Sequence, residues 1–341
     1  MKLNPEPVEG MGCASSVPGG DDAALFSHPG HAANAAANFK VARPKKTMLE
    51  TAAAALSPLD NRVQEVLRKG DIRLVRSAWF VSQPEGYQFQ RRRELEDLEK
   101  AGALPSPLLS ADEAVALVCK CDRSAAAVSY GWLSADHPYP CGERVREMHA
   151  ALSTLSHIEG FFWDFASLMQ KPRTSEEDEA FGRALAAMND LYSSPCGLSV
   201  LQLRRVPPRP VSFEGLYNER AYEERGWCVF EDAVVASLLS RVRCFPKIQE
   251  ALETLPPKLF VQQDDGRLMA GTLSADVDLE TFASRLHAAK FTGKGDEEVV
   301  LQLFKTEYVE RYAMQLEGVL QRGAMTSVWW AQGAAGMGEV P

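Results

Sequence analysis

Glu231 is the residue in this sequence best placed for chemistry, because it lies on the apolar side of a predicted helix. At 100° per residue, it falls within about 60° of four apolar residues that should face the core: Trp227, Val234, Val235 and Leu238. Removing an unpaired carboxylate from water costs several kcal/mol, so this acid must be ion-paired, protonated or used in a reaction. The sequence leaves two hypotheses open, which are catalysis and a structural ion pair with an arginine such as Arg225 or Arg220.

Two neighbours of Glu231 also have side chains that can do chemistry. Cys228 is a candidate nucleophile by position, but no histidine is predicted near it, so we expect a buried, unreactive thiol. Trp227 either packs in the core or offers a flat surface to a ligand ring.

Cys119 and Cys121 form a C-x-C pair, yet no second pair follows at zinc-site spacing, and the sequence assigns no metal.

The elements that must position Glu231 alternate between strand and helix. Apolar runs predict strands over 125–130, 160–165 and 197–203, and helical spacing predicts helices over 142–155 and about 176–192. A proline-rich loop then precedes the helix that carries Glu231. This βαβαβ-loop-α order is typical of a parallel sheet with helices on both faces. Because ligands bind beyond the carboxyl ends of such strands, we expect the site in the loops 131–140 and 164–173 and the proline-rich stretch.

The rest of the chain is divided by composition. Residues 1–45, rich in Gly, Ala, Ser, Pro and Asn, predict a disordered tail, and 323–341 a flexible one. Residues 46–119 predict an extension with a helix over 47–69, a strand over 71–81, a helix over 90–101 and a further helix capped by Ser110 and Glu113. Residues 120–250 form the α/β domain. Residues 251–322 predict a second α+β extension, with a hairpin around Asp265 and helices over 278–289 and 296–321.

Composition limits the partners and the compartment. The formal net charge of −9 argues against nucleic-acid binding, and seven cysteines, an odd number, favour a reducing, cytoplasmic environment. No apolar run approaches the roughly 20 residues that cross a bilayer.

The segment Met11-Gly12-Cys13-Ala14-Ser15-Ser16 matches an acylation signal, with Gly12 for myristate and Cys13 for a second acyl chain. It is active only if translation starts at Met11 or the preceding residues are removed, and only then do we expect peripheral membrane attachment.

Three motifs in residues 120–245 together resemble the fungal heterokaryon-incompatibility (HET) domain and its relatives in the TIR superfamily. Ser129-Tyr130-Gly131-Trp132 resembles the S-Y-x-W of that family. Trp163-Asp164, with Gln170 six residues after the acid, is similar to its W-x-D and N-Q. Arg225-Gly226-Trp227-Cys228-Val229-Phe230-Glu231 resembles R-x-W-T-x-Q-E, and also the W-C-x-x-E of TIR domains.

The resemblance implies a flavodoxin-like α/β domain in an intracellular signalling or defence-type protein. Some TIR domains cleave NAD at the nicotinamide-ribose bond with the glutamate of W-C-x-x-E, which matches Glu231, whereas others only self-associate or bind other signalling proteins. The resemblance thus implies NAD as the substrate and no cofactor. The chemistry is consistent with this, because an N-glycosidic bond breaks through an oxocarbenium-like state that a carboxylate stabilises. Tyr130 and Trp132 could stack on a ring, and Arg225 or Arg173 could pair with the diphosphate. Asp164 either orients a sugar or caps the loop that follows it.

Overall fold

The computed structural model describes residues 47–84, 86–134, 137–140, 142–271, 277–291, 293 and 295–326. The predicted tail of residues 1–45, including Gly12 and Cys13, and residues 327–341 lie outside the described part. Strands and helices are numbered below in chain order.

Within the described residues, six strands form one mixed sheet. They are β1 (Val75–Arg76), β2 (Ala125–Tyr130), β3 (Gly160–Phe162), β4 (Leu198–Leu203), β5 (Leu259–Gln262) and β6 (Leu268–Ala270). Their spatial order is β1-β3-β2-β4-β5-β6. The four central strands are parallel, and β1 and β6 pair antiparallel at the two edges. The predicted parallel sheet is therefore confirmed, and strands from both flanking regions join it.

Helices cover both faces of the sheet. The first nine are α1 (Met48–Leu56), α2 (Asn61–Arg68), α3 (Ser77–Val81), α4 (Arg92–Lys100), α5 (Ala111–Cys119), α6 (Glu143–Thr154), α7 (Asp164–Ser167), α8 (Ser175–Ala186) and α9 (Met188–Ser193). They are followed by α10 (Gly226–Arg243), α11 (Pro246–Leu252), α12 (Leu279–Ala288), α13 (Asp296–Gln302) and α14 (Met314–Thr326). Short 3-10 turns occupy Ser57–Asp60 and Tyr222–Glu224, and the Leu303–Ala313 segment between α13 and α14 has π-helical hydrogen bonding.

The central strand β2 shows why both faces are covered. All six of its residues are buried, and its side chains alternate between two hydrophobic clusters. Ala125 and Ala127 join the cluster that contains α10, whereas Ala126, Val128 and Tyr130 join an aromatic cluster on the opposite face. Successive residues at the carboxyl end of β2 therefore reach different sides of the sheet.

Most of the predicted elements are confirmed, but several differ in detail. The predicted strand over 160–165 ends at Phe162, and a 3-10 turn and a π-helical segment interrupt the predicted helices over 47–69 and 296–321. The predicted strand over 71–81 pairs only through Val75–Arg76 and then becomes the helix Ser77–Val81, because a short buried apolar run satisfies either structure. The predicted helix over 176–192 breaks at Ala187, which leaves helical geometry at φ −96° and ψ 0°. The capping box of Ser110 and Glu113 is confirmed, with both bonds formed.

The helix that carries Glu231 is also confirmed. Its 18 residues, Gly226–Arg243, pack on the sheet through the cluster that contains Val229, Ala233 and Val234. Among the described helices, α10 included, none combines the length and apolar character that crossing a membrane requires.

Candidate active site

Glu231 is buried where α10 crosses the carboxyl end of β2. Its side chain lies against the sheet, and the residue is only 7% exposed. The Ser129 hydroxyl donates to Glu231 Oε2 at 2.5 Å, and the same hydroxyl bonds the phenol oxygen of Tyr222. Ser129 reaches Glu231 because alternation along β2 points it toward the α10 face. The prediction that Glu231 lies in the apolar stripe of its helix is confirmed.

Burial raises the pKa of Glu231 to about 8. Hydrogen bonds from the hydroxyls of Ser129 and Tyr192 oppose this rise, and the nearby charge of Asp164 adds to it. Within the described part of the chain, no lysine, arginine or histidine forms an ion pair with Glu231. A carboxyl group with this pKa is mostly protonated at neutral pH, and a positive charge beside it would favour ionisation.

Arg225 bonds backbone rather than Glu231. Its guanidinium donates to the carbonyl oxygens of Arg220 at 2.9 Å, Trp132 at 2.5 Å and Asn218 at 2.8 Å. These bonds tie the loop after β2, the end of the proline-rich loop and the start of α10 together. Gly131 allows the close approach, since a Cβ there would lie 2.3 Å from Arg225 Cδ. The structural ion pair between Glu231 and Arg225 or Arg220 is therefore absent from the described contacts.

Asp164 approaches the site from the opposite face of the sheet. Its carboxylate accepts hydrogen bonds from the Tyr130 hydroxyl at 2.6 Å, Trp132 Nε1 at 2.7 Å and the Phe165 backbone N–H at 2.6 Å. Burial raises the pKa of Asp164, and these three donors counteract the rise. Asp164 thus orients the two aromatic residues after β2 and caps its own loop. The ring of Tyr130 is buried against Trp163 and Tyr139, and Trp132 is the more exposed of the pair.

A cleft of about 1070 Å³ opens over these residues. Seven of the residues that the sequence motifs singled out line it: Tyr130, Trp132, Asp164, Gln170, Arg225, Trp227 and Glu231. The eighth, Ser129, lies beneath Glu231 and is fully buried. The volume is of the size that holds a small organic ligand or a nucleotide. Three motifs spread over residues 129–231 are therefore brought to one concave surface.

The chain matches no family model, no curated protein and no solved structure. The functional argument consequently depends on the geometry of the cleft.

Gln170 and Trp227 hold the two walls of the cleft. Gln170 Nε2 donates to the carbonyl oxygens of Asp164 at 3.1 Å and Leu168 at 3.2 Å, which fixes the loop after β3. Trp227 Nε1 donates to Asp296 Oδ2 at 3.1 Å, and its ring packs edge-on against Phe230. Trp227 therefore packs against its own helix and also presents part of its surface to the cleft.

Cys228 also borders the cleft but is 1% exposed, and burial raises the pKa of its thiol well above the ordinary value. A thiol in this setting is a poor nucleophile, as expected from the sequence. Across the described residues, no three His, Cys, Asp or Glu side chains come together in a group that could hold a metal ion.

Several residues of the site belong to none of the three sequence motifs. Lys290, Phe291 and Asp296 come from the region after α12, some 60 residues beyond Glu231, and line the cleft beside the start of α10. Tyr222 completes the hydroxyl chain to Ser129 from a 3-10 turn. These residues reach the site only through tertiary contacts. Because their neighbours in the chain form no recognisable motif, the sequence could not identify them.

Proposed function

We propose that this chain cleaves the bond between nicotinamide and ribose in NAD, with Glu231 as the catalytic carboxylate. The observation that supports this is a buried carboxyl group without a cationic partner among the described residues, placed in a large cleft beside aromatic rings. The central strand order, with the second parallel strand beside the first and then the third and fourth, is that of flavodoxin-like folds. It supports the HET/TIR-like interpretation of the three motifs.

The proposed chemistry uses the charge of the substrate. The nicotinamide ring of NAD is a pyridinium, so its entry beside Glu231 favours loss of the carboxyl proton to solvent. As the bond from C1′ to nitrogen breaks, its electron pair leaves with nicotinamide, which departs as a neutral base and needs no acid. Positive charge develops on the ribose, and the adjacent carboxylate stabilises it until water adds at C1′ and gives up a proton.

Asp164 has a supporting role in this proposal. Its carboxylate is already occupied by Tyr130, Trp132 and its own loop. It therefore holds the exposed part of Trp132 at the edge of the cleft, where a ring can stack. Burial is the main cause of the raised pKa of Glu231, and the charge of Asp164 adds to it, so that Glu231 stays neutral until a cationic ligand enters.

Incubation with NAD tests the function directly. We expect nicotinamide release by the wild type, measured by chromatography, and a loss of about 10²- to 10³-fold in E231Q and E231A. The value of kcat/KM for the wild type should rise about tenfold per pH unit below about pH 8 and level off above it, because the reaction needs the ionised form of Glu231. E214Q, which changes an exposed glutamate, is the matched control. Release at the wild-type rate in E231Q would exclude the mechanism.

A second candidate function is self-association without catalysis. Val211 and Leu216, on the proline-rich loop between β4 and α10, are two large apolar side chains that are almost fully exposed, and such residues can contact a second copy of the chain. Light scattering of the wild type and of the V211S/L216S double variant tests it. A stable oligomer that the double variant loses, together with no nicotinamide release in any assembly state, would favour this alternative.

A further inference from the structure

The phosphates of a nucleotide in this cleft need cationic partners, and the arginines that border it are already engaged. Arg225 donates to three backbone carbonyls. Arg173 bonds Asp178 Oδ1 at 2.6 Å, and its guanidinium lies 3.8 Å above the ring of Phe181. Arg91 forms an ion pair with Glu94 at the edge of the cleft. The arginines expected from the sequence to bind the diphosphate are therefore held by other contacts.

Lys290 differs from these arginines because its ammonium group forms no hydrogen bond or ion pair with any described residue. The residue is exposed and lines the cleft. Its backbone is fixed at both ends: its N–H donates to the Glu224 carbonyl at 2.8 Å, and its own carbonyl accepts from Gly226 N–H at 3.1 Å. The ring of Phe291 packs on Gly226 so closely that a Cβ there would lie 1.9 Å from Phe291 Cζ. The backbone of Lys290 is thus held beside the first residue of α10, and its side chain lines the cleft there.

Lys290 and Glu231 line the same cleft at different positions along α10. Lys290 lies beside Gly226, the first residue of that helix, and the rise from Gly226 to Glu231 along the helix axis is roughly 7.5 Å. In a ribose 5′-phosphate, the phosphate and C1′ lie on opposite sides of the sugar ring. With C1′ beside Glu231, the phosphate can therefore meet an ammonium group near Gly226. Lysine binds phosphate as a compact point charge with three rotatable donors.

We infer that Lys290 binds the 5′-phosphate of the ribosyl substrate, so that the cleft selects nucleotides over nucleosides. This inference rests on the proposed function for the position of the ribose. It assigns substrate selection to a residue outside the three sequence motifs, while Arg225 and Arg173 have structural roles.

The kinetic test compares nicotinamide mononucleotide with nicotinamide riboside, which lacks the phosphate. We expect K290A to raise KM for the mononucleotide about tenfold or more, with kcat within about twofold and KM for the riboside unchanged. K305A, which removes an exposed lysine outside the cleft, should match the wild type. Equal effects of K290A on both substrates, or an equal effect of K171A on the opposite loop of the cleft, would overturn the inference.

A binding experiment separates this inference from the proposed function. The full-length wild type and K290A are titrated with ribose 5-phosphate and with ribose, and tryptophan fluorescence is followed, since Trp132 and Trp227 line the cleft. Binding of the phosphorylated sugar at least tenfold tighter than ribose, lost in K290A, supports the role of Lys290 even if NAD is not cleaved. Equal binding of both sugars, or binding of neither, would overturn it.

Discussion

Replacing Glu231 with glutamine should stabilise the protein at neutral pH, and the gain should grow as pH rises. The ordinary pKa of a glutamate is 4.5, and burial raises that of Glu231 to about 8. Between these values, the unfolded chain has lost the proton and the folded protein retains it. Unfolding therefore releases a proton, so the free energy of unfolding of the wild type falls as pH rises through this window.

The magnitude follows from the size of the pKa shift. Each pH unit inside the window changes the free energy of unfolding by about 1.4 kcal/mol per group, so E231Q should gain roughly 2–3 kcal/mol relative to the wild type between pH 5 and pH 7. Asp60 and Asp190, with pKa values raised to about 7 and about 6, also titrate on unfolding. They do so equally in both proteins, and their contributions cancel in the difference.

Urea denaturation at pH 5, 6 and 7, followed by tryptophan fluorescence, measures this difference. E214Q is the control, because it removes an exposed carboxylate and should stay within about 0.5 kcal/mol of the wild type throughout. A gap between E231Q and the wild type that stays constant or shrinks with rising pH would show that Glu231 is ionised in the folded protein. That result would refute the argument from burial, and with it the expected rise in activity toward pH 8.

Two further variants test the walls of the cleft. G131A should destabilise the protein by about 1–3 kcal/mol in the same denaturation assay, since its Cβ would lie 2.3 Å from Arg225 Cδ. G182A on α8 is the control, because its Cβ has nothing within 4 Å and the change should be neutral or stabilising. Equal effects of the two alanines would mean that Arg225 moves aside at little cost. For Cys228, which is 1% exposed, C228S should leave the number of thiols that react rapidly with a disulfide reagent unchanged, because Cys119 and Cys244 are the exposed cysteines among the described residues. Loss of one fast-reacting thiol in C228S would show that the cleft opens onto Cys228.

Much of the fold could be predicted because the local spacing of apolar residues indicates where strands and helices form. The alternation of apolar runs and helical stripes located β2, β4 and α6 to within a residue or two, and it predicted a helix at Glu231, where α10 lies. The hairpin around Asp265 is confirmed, with strands at Leu259–Gln262 and Leu268–Ala270. The predictions failed where a short buried run carries no period of its own, as in residues 77–81, which form a helix.

The site was only partly predictable. The motifs located Glu231, Asp164, Tyr130 and Trp132, and the structure brings all four to one cleft. They did not identify Tyr222 or Lys290, whose side chains matter through contacts with residues far away in the chain. A motif records the residues within one segment, whereas a cleft is assembled from several segments.

The sequence by itself determined that a carboxyl group would lie on the buried face of α10, because the helical period alone decides which residues share a face. Only the tertiary structure decided what that carboxyl meets. Arg225, six residues away along the chain, bonds three backbone carbonyls, while Ser129, 102 residues away, donates to Glu231. The protonation state of Glu231 follows from those partners and from the depth of burial. Both are properties of the packed molecule, since desolvation depends on every segment that surrounds the group.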